Sequence, residues 1–342
     1  MEHAVIRMCK QNVTYNRTVI MTRAHSLHPK PIRIAPLKPI LCEIQNPLYI
    51  EGGDIVFIDP VYFIGISQRT TLHGALAMKK AITKIKPDAQ FVILNLINSD
   101  YYHLDTCFLP TNKFVIVAES IENLFDKSSV ATIKELWNTK IIIAKEYSLN
   151  AWMLCNARRF TNCNNIGHTL VFSLRLPAEL LKKIKEFDPY MSVMHTDIQE
   201  VLIGGGGISC STLMDNTETI VLQTEPSLCN LTCYMLNSFQ KCALDNIKST
   251  DWWHMPTFLR YHREKLVDNS KNITKVINIA SPSTRVYYLR SAEDVPESIF
   301  IKDVAVLVTD QRSNTWCIPT RFSVKERQNE QQWFFKELKK TS

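Results

Sequence analysis

Glycine is scarce in this chain: nine among 342 residues, and none after Gly207. Four of the nine are consecutive, Gly204 to Gly207, in I-G-G-G-G-I-S-C-S-T over Ile203–Thr212. Glycine lets backbone approach another surface closely and adopt positive φ, at a cost in folding entropy, so such a run needs a local reason. Cysteine is also sparse for the length. Ten thiols include no C-x-x-C pair, and the nearest pairs, Cys229 with Cys233 and Cys155 with Cys163, lack a second pair at ligand spacing. A zinc site and a disulfide scaffold are therefore not indicated, and neither a metal nor a cofactor is expected. Long apolar runs are missing too: no stretch reaches the roughly 18 residues of a membrane span. Residues 1–20 carry charges and Asn throughout, unlike a signal peptide. These features point to reduced thiols in a cytoplasmic setting, although the sequons at Asn12, Asn16, Asn230 and Asn272 leave secretion open. Net charge is +7 but dispersed, with only short pairs such as Lys79–Lys80 and Lys339–Lys340. That distribution reads as a solvated basic surface and does not favour nucleic acid.

What is present suffices for one large or two ordinary domains with a real core: 45% of residues are hydrophobic and 21% charged. After a Pro-rich connection ending at Pro39, Ile40–Ile44 reads as a strand. Glu51–Ile58 and Val61–Ser67 read as a hairpin around Asp59–Pro60. Leu72–Ile85 has helical spacing, with Leu72, Leu76, Ile82 and Ile85 as the apolar set. Further strands are expected at Phe91–Ile97, Tyr102–Phe108, Phe114–Ala118, Lys140–Ala144 and His168–Ser173, with helices at Ser129–Trp137 and Ala178–Phe187. Beyond the thiol, Thr219–Gln223, Val276–Ala280 and Val286–Tyr288 read as strands and Pro256–Val267 as helix. A hairpin over Ile299–Arg321 then leads to a terminal helix, Val324–Lys340, with Trp333, Phe334 and Leu338 on its apolar side. A coarse strand-strand-helix-strand unit thus recurs about five times, which suggests a ring or propeller of mixed α/β units.

Chemistry-bearing residues mark the turns. Glu51 and Asp54 stand in E-G-G-D, His103 and Asp105 in H-L-D-T, Cys210 after the glycines and Asp303 in F-I-K-D. If Tyr102–Phe108 is extended, His103 and Asp105 share a face. A thiol, a histidine and several acids form a coherent set for attack on a cationic carbon. A guanidinium pairs with carboxylates, a thiolate attacks its central carbon, and a histidine moves the protons. Each motif alone is also what a capped turn or a buried thiol would look like.

Together the motifs resemble the guanidino-group modifying superfamily of arginine deiminases, dimethylarginine dimethylaminohydrolases, agmatine deiminases and amidinotransferases. E-G-G-D at Glu51, S-x-R-T at Ser67–Thr70, H-L-D-T-x-F at His103–Phe108 and G-G-G-x-x-C at Gly205–Cys210 follow its hallmarks in its order. The resemblance implies a five-bladed α/β propeller, the pentein fold, with a pseudo-fivefold axis. It implies Cys210 as nucleophile, His103 as general acid and base, and Glu51 as the acid assisting them. It implies Asp105 and Asp303 as holders of the guanidinium and Arg69 as a clamp on a substrate carboxylate. Arg321 and Arg327 match the same substrate-binding region. The expected activity is a metal-free hydrolysis of a small guanidino compound, most like arginine to citrulline and ammonia. Methylarginine hydrolysis, amidino transfer and a silent binding module of the same fold stay open.

The order departs from the family at one point. The second guanidinium-binding aspartate should precede E-G-G-D, yet residues 1–50 contain no Asp. The matching segment, P-E-S-I-F-I-K-D ending at Asp303, lies after Cys210. The expectation is a circular permutation. Residues 217–342 supply the family's first blade, 31–212 the other four, and 1–30 an extra arm. The rival is completion of a neighbour's site by exchange, which leaves a homodimer open.

Overall fold

The computed structural model describes residues 33–34, 48–148, 151–161, 168–203, 205–214, 220–225, 263–281, 286–290, 300–312, 314–324 and 327–341. The arm at 1–30, the strand expected at Ile40–Ile44, and Cys229, Cys233 and Cys242 lie outside the described residues.

Arg33–Ile34 (β1) finds its sheet at the other end of the chain. The first contiguous unit is an antiparallel pair, Ile55–Ile58 (β2) with Val61–Ile66 (β3). The helix Leu72–Ile85 then returns the chain to Gln90–Asn95 (β4), parallel to β3. The pattern repeats with Phe108–Pro110 (β5), Val115–Val117 (β6), the helix Lys127–Trp137 and Ile141–Ile143 (β7). It repeats again with Arg158–Thr161 (β8), His168–Phe172 (β9), the helix Ala178–Phe187 and Ser192–His195 (β10). The fourth unit is Leu213–Met214 (β11), Ile220–Glu225 (β12), the helix Arg263–Ala280 and Val286–Arg290 (β13). The fifth is Ala305–Thr309 (β14), Thr315–Pro319 (β15) and the helix Gln328–Thr341, with β1 as the third strand, parallel to β15. Each sheet therefore joins one antiparallel pair to one parallel pair, and in the first four a helix lies between the parallel strands, as a parallel neighbour requires. The division drawn from sequence, four blades in 31–212 and one in 217–342, does not hold: three sheets lie wholly within 31–212, β11 falls inside the 212–217 gap, and the strands beyond it belong to two sheets, the fifth of which joins the two ends of the chain.

The first strand of every sheet lines one common cavity of about 250 Å³, with residues of β2, β5, β8, β11 and β14 on its wall. Among the described residues the buried apolar side chains form four clusters, one of them rich in aromatic contacts. Phe63, Phe108, Phe125 and Trp137 meet with ring centroids 5.4–5.9 Å apart. Trp333, Phe334 and Leu338 of the last helix are buried, as its spacing predicts.

Three local readings differ from the structure. The helix Leu72–Ile85 buries Gly74, Ala75, Met78, Ala81 and Ile82 and leaves Leu72 and Leu76 about half exposed. A Cβ on Gly74 would lie 2.0 Å from the Tyr49 carbonyl, so the helix docks through its small residues and turns its first leucines outward. Val276–Ala280 is helix, not strand. Ile273, Val276, Ile277 and Ala280 are buried at a helical period that the short V-I-N-I-A run conceals. Tyr102–Phe108 is not extended: Leu104–Thr106 forms a 3-10 turn, held by Thr106 donating to the His103 carbonyl at 2.6 Å. His103 and Asp105 consequently do not share a strand face, and they meet different partners.

Among the described residues no helix is long and apolar enough to cross a membrane.

Candidate active site

The turns entering β2, β5, β8, β11 and β14 carry the chemical residues. Gly52–Asp54 is a 3-10 turn whose glycines are demanded by contact rather than by backbone angle. A Cβ on Gly52 would sit 1.9 Å from the Lys302 carbonyl, and one on Gly53 would sit 2.3 Å from His103 Nδ1. Asp54 fastens three of the motifs together. Its Oδ2 accepts from Ser67 Oγ at 2.7 Å and Thr70 Oγ1 at 2.6 Å, and its Oδ1 from the Leu104 N–H at 2.8 Å. E-G-G-D, S-x-R-T and H-L-D-T are thus joined by one buried carboxylate. Burial raises its pKa to about 6, against the opposing influence of His103 and those hydrogen bonds.

His103 is buried with Nε2 3.0 Å from Glu51 Oε2 and Nδ1 3.8 Å from Asp303 Oδ1. Burial alone would strip the proton from the ring. The surrounding Asp303, Asp54 and Glu51 carboxylates outweigh it and hold the pKa up to about 9. Burial likewise opposes ionisation of Glu51, but its hydrogen bond to His103 and the charges of Arg69 and Arg327 keep its carboxyl below the usual range. The histidine therefore rests as an imidazolium between carboxylates, poised to give a proton.

Cys210 enters from the glycine turn. Gly205 has φ 92°, and a Cβ on Gly206 would strike the Phe300 ring at 2.3 Å. The thiol is buried, with Asn156 on two sides. Asn156 Nδ2 donates to Sγ at 3.1 Å, and Asn156 Oδ1 accepts from the Cys210 N–H at 3.3 Å. Sγ stands 3.9 Å from Asp105 Oδ2. Burial, then the Asp105 and Asp303 charges, push the thiol well up from its ordinary pKa, while Lys302 works in the opposite direction.

Asp105 is held from one side. Oδ2 accepts from Lys302 Nζ and from Ser209 Oγ at 3.0 Å, while Oδ1 is buried without a hydrogen-bond partner. Asp303 accepts the Gly53 N–H on Oδ1 at 3.0 Å and Arg327 Nη1 on Oδ2 at 2.9 Å. Arg327 is engaged a second time, by a two-point bond to Glu330 at 2.9 Å on both sides. Cys210, His103, Glu51, Asp105, Asp303 and Arg327 thus come together within one chain. Arg69 is buried close enough to Glu51 to influence its charge. Arg321 is not part of the cluster: it is exposed, with its guanidinium over the Tyr49 ring at 5.9 Å. Its main chain instead exchanges hydrogen bonds with Ile50.

Glu51, His103 and Asp303 are the one set of His, Cys, Asp or Glu side chains, among the described residues, close enough to share an ion. The protein supplies that cluster's positive charge itself. Arg327 Nη1 lies 2.9 Å from Asp303 and 3.7 Å from Glu51, and His103 sits between the two acids.

Residues 15–153 match the arginine deiminase family. That stretch contains the Glu51, Arg69, His103 and Asp105 motifs, whereas Cys210 and Asp303 follow it. The uncharacterized protein YkgA of Bacillus subtilis (strain 168) is 24% identical over 167 residues, 48% of this chain and 51% of its own. The chain thus spans about half the length of that curated relative. Two solved structures are similar over less than half the chain. One is apo ArgZ, an arginine dihydrolase from the ornithine–ammonia cycle in cyanobacteria. It shows 27% identity, 46% of this chain and 22% of that one, with a TM-score of 0.38. The other is SxtG, an amidinotransferase of the saxitoxin biosynthetic pathway from Microseira wollei. It shows 14% identity, 42% and 40% coverage, and a TM-score of 0.29. Superpositions at that level carry no argument about fold, which rests on this chain's own strand pairing.

Guanidino-modifying motifs alone did not reveal Asn156, Ser209, Ser323 or Glu330. Ser323 donates to Glu51 Oε1 through both N–H and hydroxyl at 3.3 Å. Asn156 had a usable signal. It stands just before β8 as Asp54 stands before β2 and Asp303 before β14, so the fivefold repeat points to it even though M-L-C-N-A-R resembles no motif.

Proposed function

We propose that this chain is a cysteine-dependent guanidino hydrolase of the arginine deiminase kind. The observation that carries it is the convergence of a buried thiol, an imidazolium held by carboxylates and two further aspartates on one site. Asp105 and Asp303 receive the substrate guanidinium. Its charge replaces what the resting thiol lacks, lowering the Cys210 pKa as it docks. Thiolate Sγ attacks the guanidinium carbon, and His103 donates its proton to the departing nitrogen, which leaves as ammonia. The remaining carbon is an S-alkylthiouronium. His103, now neutral, takes a proton from water. The resulting hydroxide adds to the same carbon, the C–S bond breaks to return the thiolate, and the added hydroxyl gives up its proton to solvent as the citrulline carbonyl forms. The sum is arginine plus water to citrulline plus ammonia.

Glu51 keeps His103 charged and oriented in this reading. Arg69, buried beside the same cluster, is assigned to a substrate carboxylate. Arg327 is assigned to holding Asp303, because its donors already serve Asp303 and Glu330. The five sheets are arranged about the cavity their first strands line, as blades of a propeller. The fifth blade, split between β14–β15 and β1, is the family's first blade in permuted order. Repeated sheet topology and the common cavity support that arrangement.

Ammonia and citrulline release from L-arginine, beside methylarginine and agmatine, tests the activity. Citrulline formation lost in Cys210→Ser is the expected result. Dimethylamine from methylarginine would move the reaction to the sister hydrolase, and no turnover of any guanidine would overturn the hydrolase reading.

A further inference from the structure

Lys302 is the anomaly of the site. A lysine ammonium is costly to bury, yet this one is only 6% exposed, in a centre proposed to take a cationic substrate. Its contacts explain the burial. Nζ donates to Asp105 Oδ2 and, at 3.0 Å, to Ser209 Oγ, which itself donates to the same Oδ2 at 3.0 Å. Its N–H donates to the Cys210 carbonyl at 3.1 Å, and its carbonyl abuts Gly52. One residue thereby touches the thiol turn, the H-L-D turn and the E-G-G-D turn.

Two consequences follow from this geometry. The ammonium and the Cys210 thiol share one carboxylate oxygen, Asp105 Oδ2, so the ammonium offsets charge that would otherwise resist ionisation of the thiol. The carboxylate is also pinned by that oxygen, which leaves Oδ1 buried and unbonded as the seat for an incoming N–H. Asp303 differs, since each of its oxygens already accepts one protein hydrogen bond.

Resting on the hydrolase reading above for its substrate, we propose that Lys302 is a positioning residue. It fixes Asp105 so that only Oδ1 faces the substrate guanidinium, and it supplies a resident positive charge that offsets part of the acidic surroundings of Cys210, leaving the docking guanidinium to complete ionisation of the thiol. Asp105, Asp303, Lys302, Tyr102 and Arg158 are the titratable or charged groups that act on the thiol from the surrounding turns. Of these Lys302 is the cation bonded to the thiol's neighbouring carboxylate.

The test uses the full chain and two readouts. The first is the ultraviolet thiolate absorbance of wild type minus Cys210→Ser, titrated without substrate. K302M, paired with its own Cys210→Ser control, should raise the Cys210 midpoint by about one pH unit, and K302R should return it. The second is steady-state kinetics with arginine. K302M should raise KM about tenfold, more than it lowers kcat, with K302R restoring most of the loss. S209A keeps the ammonium but loses one bond to Asp105, so it should raise KM and leave the thiol midpoint in place. Should K302M not fold, K302Q carries the same test. Coincident midpoints and KM values for K302M and wild type would overturn the proposal while leaving the hydrolase standing. So would a midpoint shift in S209A equal to that of K302M. A shifted midpoint in a protein without turnover on any guanidine would instead retain the charge role and overturn the hydrolase.

Discussion

Asn156 is the residue whose loss should separate chemistry from folding. It faces Cys210 with both ends of its amide, so Asn156→Ala removes a donor from Sγ and an acceptor from the Cys210 N–H. A hydrogen bond to a developing thiolate is worth about 1.5–3 kcal/mol, so kcat should fall at least about tenfold with little change in KM. Steady-state rates beside a thermal melt check this. Asp54→Ala should do the reverse damage. It leaves the Ser67 and Thr70 hydroxyls and the Leu104 N–H without their acceptor, and stability should drop by about 3 kcal/mol in urea unfolding. His103 adds a pH signature. Its pKa rises from 6.5 to about 9 on folding, so its contribution is full below pH 6.5 and is lost as pH climbs through 9. The urea midpoint should decline over that interval, and His103→Asn should flatten the decline. Cys210, His103 and Asp105 were legible in sequence because they sit in marked turns whose motifs, taken together and in order, resemble those of a known family. Asn156 and Ser209 were not, because amide and hydroxyl groups are common and nothing local distinguishes a pair aimed at a thiol. Arg321 and Arg327, six residues apart, look alike in sequence. Only the fold sends one to the surface and the other between acids.

At the level of elements, the turns were harder to read than the strands. The apolar runs Val61–Ile66 and Ala305–Thr309 announce buried strands, and the structure has them. The 3-10 turn after His103 had no such signature, since Tyr102–Phe108 alternates well enough to pass for a strand. Its conformation depends on Asp54, 50 residues earlier, accepting the Leu104 N–H. The same dependence on distant contacts governs the glycine turn. Gly206 is open to Ala by its chain direction, but the Cβ would lie 2.3 Å from the Phe300 ring. Gly206→Ala should therefore displace Cys210 and destabilise the fold. Gly206→Ala with Phe300→Ala should recover part of the stability, because the second change removes the obstructing ring. A double-mutant cycle in urea measures the coupling. Additive losses would show that backbone freedom, not the ring, requires the glycine.

For the whole molecule, the decisive feature is that one sheet is made from both ends of the chain. Four units run continuously from first strand to third, but the fifth leaves its crossover helix at Thr341 and takes its third strand from Arg33–Ile34. Composition and periodicity could announce five repeats, yet not this closure, because a two-residue strand in a Pro-rich stretch carries almost no pattern of its own. Closure matters for chemistry because Asp303 and Lys302 enter the site from the turn before β14, the antiparallel neighbour of β15. If β1 secures β15, deleting residues 1–36 should open one edge of that sheet and leave the others closed. Hydrogen exchange resolves the expectation by location. Amides of Trp316 and Cys317, in register with Arg33 and Ile34, should lose protection, while those of Phe63 and Ile64 in β3 should keep it. Turnover should fall with the C-terminal protection, because the loosened sheet carries Asp303 away from His103. Uniform loss of protection across both sheets would mean that the chain ends stabilise the molecule as one unit, and unchanged protection at Trp316 would mean that β1 is dispensable to closure.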